Sequence, residues 1–121
     1  MTSFTILHNP RCSKSRAALA LLEHSGYPVE VVAYLNTPPS AEELQTICAN
    51  SGLSPAQLLR DGEAEYHEAG LHRDCTDAEI IAAMVRFPKL INRPIVIRQP
   101  DGATVLGRPT STVAELIESA H

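Results

Sequence analysis

Thr5-Ile6-Leu7-His8-Asn9-Pro10-Arg11-Cys12-Ser13-Lys14-Ser15-Arg16 is the stretch on which the fold turns. Its apolar opening, Thr5-Ile6-Leu7, reads as a short first strand that stops at the polar turn His8-Asn9-Pro10-Arg11. A helix is expected from Ser13 to Ser25, with Ala18, Leu19, Leu21 and Leu22 on its inner side and Gly26 as the stop. Val29 to Ala33, rich in β-branched residues, then reads as a second strand. Strand, helix and strand within about 30 residues is the size of a right-handed parallel crossover unit.

Working outward, the middle of the chain is helical and sharply punctuated. Ser40-Ala41-Glu42-Glu43, Ser54-Pro55-Ala56-Gln57 and Thr76-Asp77-Ala78-Glu79 each fit a capping box, in which the first and fourth side chains satisfy each other's free backbone amides. Pro55 adds a proline at a first helical position. Helices are expected over about 41–50, 55–60, 64–69 and 77–86. Ile95-Val96-Ile97 and Thr104-Val105-Leu106 flank the turn residues Pro100-Asp101-Gly102, which predicts an antiparallel hairpin. Thr110-Ser111-Thr112 is expected to cap a last helix carrying Val113, Leu116 and Ile117. The order β-α-β, helical insertion, β-β-α is that of an α/β thioredoxin-like fold with a mixed four-stranded sheet. One domain over 1–121 is expected, with the insertion at about 40–87. Arg93-Pro94 stands just before the third strand, where proline suits a strand's first position and can take a cis bond.

Bulk composition narrows the function. Of 121 residues, 44% are hydrophobic and 20% charged, enough apolar side chain for a packed core without staples. A formal net charge of −4 argues against a general nucleic-acid or anionic-membrane binder. No apolar run approaches a bilayer span, and Met1-Thr2-Ser3-Phe4 lacks the basic region of a signal peptide, so a cytoplasmic location is expected. The cysteines Cys12, Cys48 and Cys75 cannot all pair within one chain and match no zinc spacing, so free thiols and no metal are expected.

Cys12 draws attention by position. At a strand-to-helix turn, free amides and the positive end of the helix dipole favour an anion. Arg11, Lys14 and Arg16 flank it, and the first acidic residue is Glu23. All three effects favour the thiolate, which is the nucleophilic form. The competing reading is a small buried hydrophobe, which suits a helix interior better than a polar, basic turn. His8, four residues earlier, could help hold the thiolate as an imidazolium or take the thiol proton as a neutral base. Cys48 shares the core spacing of Leu44 and Ile47 and reads as a packed hydrophobe; Cys75, in the polar loop after His72-Arg73-Asp74, reads as more exposed. The third residue after Cys12 is Ser15, so no local Cys-x-x-Cys disulfide exists, and reducing power must come from elsewhere or from a distant thiol such as Cys75. Arg60, Arg93 and Arg108 each close an apolar stretch, where a forked donor suits a multi-oxygen anion; a surface charge or structural ion pair is the alternative for each.

Asn9-Pro10-Arg11-Cys12-Ser13-Lys14-Ser15-Arg16 resembles the motif of the glutaredoxin-dependent arsenate reductase (ArsC) family. The likeness continues through Tyr34-Leu35-Asn36-Thr37-Pro38-Pro39, Leu58-Leu59-Arg60, Leu90-Ile91-Asn92-Arg93-Pro94-Ile95-Val96 and Gly107-Arg108-Pro109, in order over nearly the whole chain. Gly107 before Arg108, and a chain ending at His121 soon after the last helix, look closer to the short chromosomal YfgD-like branch. The resemblance implies that Cys12 is the nucleophile, helped by His8 and Ser15. It implies that Arg60, Arg93 and Arg108 hold the oxyanion, and that Pro94 is a cis proline.

By the same resemblance, Cys12 attacks arsenate, glutathione is the co-substrate, glutaredoxin regenerates the thiol and arsenite leaves. No cofactor stays bound, and a monomer without nucleic-acid or membrane partners is expected. Two other readings stand beside it. One is a glutathione-dependent thiol oxidoreductase with another substrate. The other is a regulatory binding protein like the Spx relatives, which typically carry a Cys-x-x-Cys switch.

Overall fold

The structure is a computed structural model that describes residues 1–120. The chain divides into two compact units, one built from residues 1–34 and 93–120 and the other from residues 35–92.

The first unit holds β1 (Ser3–Leu7), α1 (Ser13–His24), β2 (Val29–Val32), β3 (Ile95–Gln99), β4 (Thr104–Leu106) and, after four helices of the second unit, α6 (Ser111–Glu118). Among the described residues the strands form one four-stranded mixed sheet in the order β2-β1-β3-β4. β1 pairs in parallel with β2, Phe4 opposite Val29, as the crossover reading requires. β3 runs antiparallel to both β1 and β4, with Val96 facing Ile6 on one side and Val105 on the other. Strand side chains alternate faces, so Phe4 and Ile6 of β1 point the same way and meet Val96 of β3. Ala18 and Leu22, four apart on α1, and Val113 and Leu116, three apart on α6, close over them. Phe4, Ile6, Ala18, Leu22, Val96 and Val113 are at most 1% exposed, so this is where the unit's hydrophobic stabilisation concentrates.

The β3–β4 turn follows the expected Pro100-Asp101-Gly102, with Gly102 at φ 79°, the left-handed region that glycine enters without a Cβ penalty. The last helix starts differently from expectation. Thr110 is already helical (φ −57°, ψ −26°), so its hydroxyl makes no capping bond. The Thr112 hydroxyl turns back to the carbonyls of Leu106 and Pro109, both at 2.9 Å.

The second unit contains α2 (Ala41–Ser51), α3 (Pro55–Leu58), α4 (Ala64–Glu68), α5 (Asp77–Arg86) and a 3-10 turn at Pro88–Leu90. All three capping boxes form with both halves in place. α5 packs against α2 and α3 and buries Ile80, Ile81, Ala83 and Met84. The α3 helix is shorter than the expected 55–60. Leu59 leaves the helix in extended conformation (φ −81°, ψ 137°) because it bridges antiparallel to Ile91. Two hydrogen bonds of 2.8 Å, Arg60 N–H to Leu90 C=O and Asn92 N–H to Leu58 C=O, secure that bridge. Among the described residues, no helix is long and apolar enough to cross a membrane.

Candidate active site

The chain leaves β1 and reverses through Asn9-Pro10-Arg11-Cys12, a β-turn closed by the Cys12 N–H donating to the Asn9 carbonyl at 3.0 Å. Asparagine at the first position and proline at the second are the residues this turn prefers, because the proline ring presets φ. Cys12 is thereby delivered to the N-cap of α1 in extended conformation (φ −96°, ψ 122°). Its carbonyl accepts the first helical hydrogen bond, from the Arg16 N–H at 3.0 Å. A sulfur now stands where a capping oxygen usually does, and the first turn of α1 holds no acidic side chain to oppose negative charge there.

Cys12 is 8% exposed. Burial, the largest single influence on its thiol, opposes ionisation. The Ser15 amide, the Arg93 guanidinium and the Lys14 amide together outweigh it, so the pKa falls below the ordinary cysteine value. From the other side, Arg108 Nη2 donates to Sγ at 3.4 Å. Cys12 is therefore buried, yet among donors rather than hydrocarbon.

The two arginines are tied to each other: Arg108 Nε donates to the Arg93 carbonyl at 2.7 Å. The Gly107 N–H, next in line, donates to the Pro94 carbonyl at 2.8 Å. A Cβ on Gly107 would stand 2.7 Å from Pro94 Cγ and 3.1 Å from Val113 Cγ2, so a side chain there displaces the Pro94 ring. The Arg93–Pro94 bond is cis; so are Gln99–Pro100 and Arg108–Pro109, for which the sequence offered no expectation.

His8 lies just beneath this turn, 9% exposed, with Nδ1 2.7 Å from Ser15 Oγ. Ser15 is fully buried, and its Oγ also accepts the Asn9 N–H at 3.0 Å. The hydroxyl keeps a second lone pair and its own proton, so it can pair with either tautomer of a neutral imidazole. Burial first, then the charge of Arg16, lower the His8 pKa, against a smaller opposing pull from Glu23. Burial and Arg16 both disfavour the imidazolium form of His8. Its hydrogen bond goes to Ser15, whose amide in turn faces the thiol.

The local basic residues do not behave as expected. Arg11, Lys14 and Arg16 are exposed, and the Arg16 guanidinium donates to the Pro10 carbonyl at 2.8 Å. What the motif supplies to Cys12 is backbone N–H, while the cationic groups come from Arg93 and Arg108. Asn9 was not singled out from sequence, although an Asn-Pro pair entering a turn is a recognisable mark.

Arg60 belongs to the second unit, on the bridged segment beside Leu59, where its Nε donates to Glu63 Oε1 at 3.3 Å. Cys48, in the same unit, is only partly buried, so it is less enclosed than the core spacing suggested. Burial first, then the Asp77 carboxylate, raise its pKa, so it stays a thiol. Cys75 is also partly buried, and its sulfur accepts the His72 N–H at 3.3 Å.

Comparison with known proteins identifies the family. The family model described as the ArsC family matches residues 7–116. The chain is 43% identical to an arsenate reductase of Escherichia coli, over its full length and 85% of that relative. It is 41% identical to an arsenate reductase of Neisseria meningitidis serogroup A, over 97% of the chain and all of the relative. The solved arsenate reductase from Vibrio cholerae superposes with a TM-score of 0.85 at 44% identity, over 94% of this chain and 97% of that one. With the family model matching most of the chain and relatives above 40% identical over nearly its whole length, the chain belongs to the ArsC family.

Proposed function

We propose that the protein reduces arsenate to arsenite with glutathione as co-substrate and glutaredoxin as the regenerating partner, through Cys12. The observation that carries this reading is the lone thiol at the α1 N-cap, with its pKa lowered and two guanidinium groups turned toward it. A neutral disulfide substrate has no use for two forked cations, whereas a tetrahedral oxyanion is repelled by a thiolate unless cations neutralise the approach. The relatives named arsenate reductase support the same substrate.

In the first step the Cys12 thiolate attacks arsenic(V); two protons and one arsenate oxygen leave as water, and a sulfur–arsenic bond remains. Glutathione thiolate then attacks Cys12 Sγ. The sulfur–arsenic bonding pair passes to arsenic, which departs as arsenite, and the two sulfurs are left as a mixed disulfide. Glutaredoxin thiolate attacks the glutathione sulfur and returns Cys12 as thiolate. Arg93 and Arg108 bind the oxyanion and oppose the charge that builds on its oxygens. Arg60 is assigned to the same oxyanion on the motif Leu58-Leu59-Arg60. His8 and Ser15 act through the Ser15 amide, with His8 neutral throughout. The whole chain works as one domain, as a cytoplasmic monomer with no bound cofactor.

Purified protein with arsenate, glutathione, glutaredoxin and glutathione reductase should consume NADPH, and Cys12→Ser should not. A wild-type rate equal to the enzyme-free blank would refute arsenate as substrate. Arg60→Ala with unaltered kinetics would remove Arg60 from the assignment.

A further inference from the structure

We infer that Asn9 is a positioning residue for the Cys12 thiolate, acting through the turn it closes. The inference rests on the reading of Cys12 as the nucleophile but not on the identity of the oxyanion.

Asn9 is 9% exposed, and it holds the reactive turn by three hydrogen bonds of equal length. Its side-chain Oδ1 accepts the Arg11 N–H at 3.0 Å, an asparagine turn nested inside the β-turn. Its carbonyl accepts the Cys12 N–H at 3.0 Å. Its own N–H donates to Ser15 Oγ at 3.0 Å, the hydroxyl that also meets His8. One residue therefore links the end of β1, the amide of the nucleophile and the first turn of α1.

The consequence is directional. The Cys12 amide is occupied by the Asn9 carbonyl and is not available to an anion. The amides that favour the thiolate are those of Lys14 and Ser15, one turn further on. They face Sγ only while Cys12 keeps the extended N-cap conformation. Of the three bonds, only the one from Oδ1 depends on the side chain, so substitution of Asn9 isolates its effect. Alanine removes the acceptor, whereas serine keeps a shorter and weaker one for the same amide.

The test is the pH profile of Cys12 alkylation by iodoacetamide in the full chain, with Cys48→Ser and Cys75→Ser in every variant so that one thiol reports. Asn9→Ala should move the profile to higher pH and slow alkylation at pH 7 by about three- to tenfold, the range that one net hydrogen bond corresponds to. Asn9→Ser should recover part of the loss. Urea unfolding of each variant at the same pH separates a loosened turn from a destabilised fold. An Asn9→Ala profile that coincides with the parent overturns the inference. So does an Asn9→Ser protein no better than Asn9→Ala, or a shift in proportion to lost stability in both. Should Asn9→Ala fail to fold, the Asn9→Ser profile decides, displaced for the inference or coincident against it. Because no arsenate is present, these outcomes are independent of whether the protein reduces arsenate.

Discussion

Replacing Arg108 by glutamine should raise the pKa of Cys12 by roughly one to two units. Arg108 Nη2 and Cys12 Sγ are 3.4 Å apart. Two unit charges at that distance interact by about 5 kcal/mol at an effective dielectric of 20 and about 1 kcal/mol in water. Cys12 is 8% exposed, which argues for the interior figure, but Arg93 still faces the thiol in the variant and takes up part of the loss. The bracket then narrows to about 1.5–3 kcal/mol, the usual range for a hydrogen bond to a charged group. Each pKa unit corresponds to about 1.4 kcal/mol, which gives the stated shift. The measurement is the thiolate's ultraviolet absorbance against pH, in a background lacking Cys48 and Cys75. Arg108→Lys should fall between, since an ammonium keeps the charge but cannot bond Sγ and the Arg93 carbonyl with one planar fork. A glutamine variant that titrates within about 0.3 unit of the parent would refute the electrostatic reasoning.

Three further outcomes follow from other contacts. Ser15→Ala leaves the Asn9 N–H and His8 Nδ1 without their buried partner and should cost about 1–3 kcal/mol in urea unfolding while raising the Cys12 pKa; a variant as stable as the parent would show that the pair is not held there. Leu22→Ala, in the core between α1 and the sheet, should cost about 2–5 kcal/mol without moving the alkylation profile. Asp101 is held below the usual carboxylate range, chiefly by its hydrogen bonds to Arg98, which also reaches the Leu116 carbonyl at 3.0 Å and Ser119 Oγ at 2.7 Å. Its folded pKa is depressed, so its contribution is full above the unfolded value of about 3.9 and lost as pH falls through the lower folded one. Asp101→Asn should therefore unfold at lower urea than the parent at pH 6, and the difference should close near pH 2; a constant difference across that range would contradict the ion pair.

Legibility from sequence followed the range of the interactions. The β-α-β start and the three capping boxes rest on contacts within a few residues, and they were readable from Thr5-Ile6-Leu7 and from Ser40, Ser54 and Thr76. The length of α3 was not, because Leu59 is drawn out of the helix by Ile91, a partner it meets only after folding. The Thr110-Ser111-Thr112 cap misled because Thr110 itself takes helical backbone angles, so its hydroxyl makes no capping bond. Within the site, Cys12 was legible because a helix N-terminus is local. The charges beside it were misread as local too. Arg108 lies 96 residues away and enters only through the sheet, so the motif's own arginines drew credit that belongs to distant ones. The apolar stretches before Arg93 and Arg108 marked both as candidate anion donors, but nothing in the spacing said that the fold would bring them to Cys12.

The central claim is that one thiol, Cys12, carries arsenic through reduction and ends as a mixed disulfide. Incubating the protein with arsenate and glutathione, with glutaredoxin left out, stops the cycle at that point. Peptide mass spectrometry should then find glutathione on Cys12, with about one arsenite released per chain, and unmodified Cys48 and Cys75. Arsenite formed by the Cys12→Ser protein, or glutathione found on Cys48 or Cys75 while Cys12 stays free, would contradict the account.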